Sequence, residues 1–224
     1  MGYYTDLKSI SIHKYKEMLK VADLIPSRMI LKENTDRNLD RIEAHDILNV
    51  DELQKVLKNK SKLPDYSKRF DVPERYLEVL RAEINGYLQK PNRIKDFACI
   101  DEETTQKLEA LGLNNTLKLY GEVLNHEKRH ELSMRTGISE EEILKLTKLT
   151  DLSRIRWVNH TFAYVLLEAG YDTVEKVAKA DYQKLYETVK QLNKEREIYR
   201  AHIGVNDMKL CIESAKGLDV EIEY

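Results

Sequence analysis

The chain has 224 residues, enough to bury a sizeable core in one large or two modest domains. Charged residues make up 34% of it against only eight glycines and four prolines, which suits long amphipathic helices and excludes a turn-rich sheet architecture. A net charge of −2 excludes a nucleic-acid binder whose affinity comes from an overall basic surface, while leaving room for a local basic patch.

The N-terminal stretch MGYYTDLKSISIHKYKEMLKVADLI is interrupted by charges and holds no apolar core of signal-peptide length. No apolar run approaches membrane-spanning length, so a cytoplasmic location without a membrane partner is expected. Cys99 and Cys211 lie far apart with no metal-ligand spacing around them, as small buried thiols of a reducing compartment would.

Apolar residues return at three- and four-residue spacing through most of the chain, the mark of helices with one buried stripe. Residues 10–22 predict an amphipathic N-terminal helix with Met18, Val21 and Ala22 in its apolar pattern and Lys14, Lys16 and Lys20 outside it. Such a helix covers a core more often than it lies on a partner or a membrane surface. A first unit begins near Met29, and a further helix opens at Pro73 with Leu77, Leu80 and Ile84 as its stripe. Pro91 in QKPN (89–92) interrupts the pattern, which divides the chain into 1–92 and 93–224.

A second unit begins near Lys95. Gly112 stands in it where a left-handed cap is wanted, and Ser139 with Glu142 forms a capping box ahead of Ile143, Leu146 and Leu149. A third begins near Ser153 and reads LSRIRWVNHTFAYVLLEAGYDTVEKVA, with Gly170 as its cap and Val174, Val177 and Ala178 in the following stripe. A last helix over about 206–215 ends at Gly217, and the alternation of Val220 and Ile222 before Tyr224 is too short to build a sheet.

Laid over itself, the chain matches without gaps at a shift of 66. Glu43 and Ala44 fall on Glu109 and Ala110, Asn49 on Asn115, Leu53 on Leu119, and Leu80 on Leu146. A shift of 58 places Phe97 on Ile155, Leu108 on Leu166, Gly112 on Gly170 and Lys118 on Lys176. Apolar positions persist while surface positions drift, as a duplicated packing unit requires.

The run LTDLSRIRWVNHTFAYVLLEAGYDTVEKVAKAD resembles the helix-hairpin-helix units of a bacterial and archaeal repeat family that carries a domain of unknown function. HEKRHELSMRTGISEEEILKLTKLTDL and NDMKLCIESAK resemble the same pattern, and the likeness covers roughly 24–217, most strongly after residue 93. The expected fold is therefore all-α: tandem helix-hairpin-helix-like repeats in three related units, flanked by N- and C-terminal helices. Residues 1–92 hold the N-terminal helix and first unit, and 93–224 hold the second and third units with the C-terminal helix.

The resemblance implies sequence-independent contact with a DNA or RNA backbone. Such hairpins hold phosphate on free backbone N–H groups at a helix start, with two glycines flanking an apolar residue so that the backbone can approach. Here those positions read Glu33-Asn34-Thr35, Cys99-Ile100-Asp101 and Trp157-Val158-Asn159, and no unit has the glycine pair. In the second unit Asp101, Glu102 and Glu103 would repel a phosphate. The third keeps Arg154, Arg156, Trp157, Asn159 and His160 around its turn, where Trp157 can stack on a base or sugar. The competing reading packs Trp157 between units and pairs the arginines with acids such as Asp151.

His126-Glu127-Lys128-Arg129-His130 satisfies the zinc pattern H-E-x-x-H. Its intervening Lys and Arg, the missing third ligand and its place in a polar connector of the repeat argue against zinc. His13, His45 and His202 are isolated. The expected function is a non-enzymatic helical repeat binding module with no cofactor, no metal and no small-molecule substrate. Two partners stay open: a nucleic-acid backbone at the third hairpin, or another protein held by a scaffold that has lost phosphate binding.

Overall fold

A computed structural model describes residues 2–224, which fold into thirteen α-helices joined by short 3-10 turns, with no β-strand among the described residues. The chain divides into two compact units: residues 6–88, and residues 89–224 together with residues 2–5.

In the smaller unit, α1 (Ile12–Val21) opens on Ser11, whose hydroxyl accepts the Lys14 N–H at 3.1 Å. Its buried stripe is Ile12, Tyr15 and Leu19. Val21, which the apolar spacing places in the stripe, is instead exposed in the final turn, because the stripe ends at Leu19. Lys16 and Lys20 reach Asp40 and Asp36 on α2 (Thr35–Glu43) at 2.5 and 2.6 Å. Then come α3 (Val50–Leu57), α4 (Leu63–Phe70) and α5 (Glu74–Asn85), the last directly after Pro73, whose fixed φ suits a helix entry. Leu39, Ile42, Leu53, Leu57, Leu77 and Leu80 close the core completely, and truncating any of them to Ala costs about 2–5 kcal/mol.

The larger unit runs through α6 (Glu102–Ala110), α7 (Thr116–Tyr120), α8 (His126–Thr136) and α9 (Glu140–Leu152). It continues with α10 (His160–Glu168), α11 (Val174–Ala178), α12 (Tyr182–Arg196) and α13 (Val205–Lys216). Its core is continuous from Ile94 through Leu146, Leu149, Ile155 and Leu166 to Met208 and Ala215. No helix of the described residues is long and apolar enough to cross a membrane.

Helix bounds coincide at the two sequence shifts. At 66, α3 and α7 open at Val50 and Thr116, and α5 and α9 at Glu74 and Glu140. At 58, α6 with α10 and α7 with α11 coincide at both ends. The caps follow: Asn49 and Asn115 each accept an N–H of their own helix at 3.0 Å. The first N–H of α3, α7 and α11 cannot be met inside its helix. Ile10 O accepts it from Val50 (2.9 Å), Asn92 O from Thr116 (2.9 Å) and the Asp151 carboxylate from Val174 (2.8 Å). Gly112 and Gly170 take left-handed caps at φ 76° and 81°, a conformation that Asp46 adopts at 63° against its Cβ. Only half of the expected box at Ser139 forms: its hydroxyl accepts the Glu142 N–H (3.2 Å), while the Glu142 carboxylate turns to Lys145 (2.6 Å).

Candidate functional site

The turn between α9 and α10 carries four of the candidate residues and the fifth, His160, opens α10; the turn's backbone is held from three directions. Gln89 reads it twice over: its amide nitrogen donates to Ser153 O and Ile155 O at 2.6 and 2.7 Å, and its amide oxygen accepts the Trp157 N–H at 2.8 Å. Asn92 donates to the Ser153 hydroxyl (2.9 Å) and to Val158 O (3.2 Å). On the other side the Ser214 hydroxyl of α13 accepts the Arg156 N–H at 2.8 Å. Ile155 and Val158 are buried and anchor the turn from below.

This clamping leaves Trp157 at φ 67° and 48% exposed. Both properties are costly for a large aromatic residue, because a left-handed backbone crowds its Cβ and water surrounds its ring. A residue without a Cβ would take this backbone at lower cost, so the positive φ gives the physical reason a glycine would suit the position. The equivalent residue 58 earlier, Cys99, is half-buried and not in that conformation.

Both arginines are buried, but with different partners. Arg154 is buried, its side chain 1% exposed. It donates to Asp151 (2.8 Å), to Asp219 O (2.8 Å) and to Tyr3 O (3.3 Å), and its guanidinium lies 4.9 Å from the Tyr120 ring centroid. With those partners it has no face left for an external ligand, which removes it from the set that the sequence brings together. Its partner is indeed Asp151, which also accepts from Val174 N–H and from the Tyr224 hydroxyl at 3.0 Å. Arg156 instead stacks on Trp157, guanidinium carbon 4.1 Å from the indole centroid. Stacking of this kind steadies the exposed ring by cation–π attraction of about 0.5–2 kcal/mol.

Asn159 caps α10 without charge, its side-chain oxygen accepting the Phe162 N–H at 2.9 Å. The first turn of α10 carries no acid of its own, and the carboxylate that acts on it is Asp96, which is held below the usual Asp range first by Arg93 and in smaller part by His160. His160 meets the Phe97 ring edge-on at 6.4 Å. By contrast α6 opens on Asp101, whose carboxylate lies below the usual Asp range because it accepts the Thr104 N–H, and Glu102 and Glu103 follow.

The H-E-x-x-H segment forms the start of α8, and its parts diverge. His126 is exposed, and His130 Nδ1 lies 2.7 Å from Glu140 Oε1. Arg129 between them turns inward to Val123 O (3.2 Å) and Glu223 O (2.6 Å). Among the described residues no group of three or more His, Cys, Asp or Glu side chains converges as a metal site. Both cysteines are free thiols; burial pushes Cys99 up and Cys211 up to about 12.

Sequence reasoning missed Gln89, Asn92 and Ser214, which hold the turn from 58 or more residues away. The only signal available was that Gln89 and Asn92 fall in the QKPN segment, which reads as a connector. Residues 98–218 match the model of a family described as a domain of unknown function (DUF4332). No curated protein and no solved structure matches the chain.

Proposed function

The chain belongs to the DUF4332 family, and on that premise we propose that it is a non-enzymatic binding module of tandem helix-hairpin-helix-like repeats that holds single-stranded nucleic acid without reading its sequence. The carrying observation is Trp157: an indole kept in solvent, on a left-handed backbone, stacked on an arginine. Strain retained at an exposed position points to use of the side chain rather than to packing. Unpaired bases stack on such platforms, each worth about 1–3 kcal/mol.

The contact set is Trp157, Asn159 and His160, with the buried Arg156 backing the indole and Arg154 acting beneath as a strut. The acid-free start of α10 supports an anionic backbone nearby, while Asp101, Glu102 and Glu103 argue against the equivalent turn at α6. The two free thiols support a reducing, cytoplasmic setting. The protein-scaffold reading draws on the same pair, because Trp and Arg dominate protein interfaces, and on the net charge of −2.

Anisotropy of a labelled oligothymidylate, titrated with protein at falling salt, tests the proposal. Binding should strengthen as salt falls and should weaken about tenfold or more in Trp157→Ala. No binding at low salt, or equal binding by that variant, rejects nucleic acid and leaves the scaffold reading.

A further inference from the structure

A groove of about 300 Å³ lies beside the segment that clamps the Trp157 turn, and its charge is unlike that of the whole chain. Lys90, Arg93 and Lys95 line it together with Asn114 and Asn115, against a single lining carboxylate, Glu109. Its floor is rigid: residues 92–94 and 114–116 form a short antiparallel bridge, through Ile94 N–H to Asn114 O (3.1 Å) and Thr116 N–H to Asn92 O (2.9 Å).

The donors are fixed but not used up. Arg93 gives its Nε and one terminal nitrogen to Asp96, at 2.8 and 2.9 Å, which orients the guanidinium and leaves Nη1 without a bond to Asp96. Lys90 and Lys95 are exposed and make no ion pair among the described residues. Asn115 is committed to the Lys118 N–H and to Asn114 Oδ1, which holds the Asn114 amide in place at the groove wall. Asp96 offsets one of the three cations here, as Asp71 offsets Arg41 in the groove lined by Arg37 and Arg41, and what sets this groove apart is its pair of ammonium groups, unpaired among the described residues. The groove beside His45 balances Lys55 and Arg69 with Asp46 and Glu52.

We propose that this groove is an oxyanion site that takes a phosphate group. The remaining Nη1 edge of Arg93, two ammonium groups and an amide match the several oxygens of a phosphate better than they match a single carboxylate. Gln89, which accepts the Trp157 N–H, is the chain neighbour of Lys90, so the groove and the indole share one clamped segment. On the reading given above, the phosphate belongs to a strand whose base stacks on Trp157; that assignment of source rests on the reading, and the groove itself does not.

The test is an amide NMR titration of the full chain with sodium pyrophosphate, against sodium chloride at matched ionic strength. Saturable shifts at residues 93–96 and 114–116 are expected. They should weaken about tenfold in Lys90→Ala/Lys95→Ala, both exposed positions, and tighten about threefold in Glu109→Gln. Shifts that sodium chloride reproduces, or that the double variant leaves unchanged, overturn the site. An oligothymidylate that moves the same amides while quenching Trp157 assigns a backbone phosphate. Pyrophosphate binding without Trp157 quenching by the oligonucleotide keeps the groove, for a small phosphoester, and rejects the stacking reading. Quenching with the groove amides unmoved, and no pyrophosphate shifts, rejects the groove alone.

Discussion

Two turns of the larger unit, 58 residues apart in sequence, lead into helices of identical length and have opposite chemistry. The turn ahead of α6 closes its helix start with Asp101 and adds two further carboxylates. The turn ahead of α10 uses the neutral Asn159, adds no acid, and lifts a tryptophan into solvent over an arginine. Where Arg154 and Arg156 stand in the second, Asp96 and Ala98 stand in the first. The same fold thus supports one turn satisfied by its own side chains and another whose satisfied parts lie beneath it, in Arg154, Gln89 and Ser214, while its upper surface stays open.

The largest way to break this contrast is to remove the strut. Arg154→Ala leaves Asp151 buried without its cation and frees the carbonyls of Tyr3 and Asp219, so denaturant unfolding of the larger unit should lose about 3–5 kcal/mol. Asp96, at the equivalent position, is partly exposed and pairs with Arg93 at the surface; Asp96→Ala should cost at most about 1 kcal/mol. Equal losses for the two variants would mean that Arg154 is no strut.

Next in size is Gln89→Ala, which deletes three hydrogen bonds to the turn and should cost about 1–3 kcal/mol. Amide exchange at Trp157 should accelerate in that variant while amides of α6 keep their protection.

Trp157→Gly should act in the opposite direction on stability. Glycine accepts φ 67° without crowding, so the variant should gain up to about 1 kcal/mol, offset in part by the lost Arg156 stack, while nucleic-acid binding falls. Cys99→Gly should only destabilise, because Cys99 is half-buried on an ordinary backbone. A clear loss of stability in Trp157→Gly would turn the exposed indole into a packing residue.

The smallest effect is on acid stability. The folded Asp101 carboxylate lies below its unfolded value because the Thr104 N–H bonds it. Its contribution is therefore complete above the ordinary Asp value of about 3.9 and fades as pH falls through the lowered folded value. Asp101→Asn should flatten that acid limb. Asn159→Asp should create one at α10, add about 0.5 kcal/mol near neutral pH, and weaken an anionic ligand.

The sequence made the helices legible because burial is periodic: Leu53 with Leu119 and Leu80 with Leu146 repeat at the shift and are all fully buried. The caps Gly112 and Gly170 were legible for the same local reason, and Asn49 and Asn115 were legible as a repeated pair though not as caps. Val21 was misplaced because spacing cannot tell where a buried stripe ends. The candidate turn was found through its residue types, yet the fates of its arginines were not visible. Arg154 is decided by Tyr3 and Asp219, 151 and 65 residues away, and no local pattern reports partners at that distance. The exposed, left-handed Trp157 likewise depends on Gln89, which sequence marks only as part of a connector.

Trp157 is the single tryptophan of the chain, so its fluorescence reports on the proposed surface alone. Titration of the native protein with an oligothymidylate at low salt should quench that emission saturably, and added salt should reverse the quench. Emission that stays unchanged while the oligonucleotide binds elsewhere, or with no binding at all, would contradict the account.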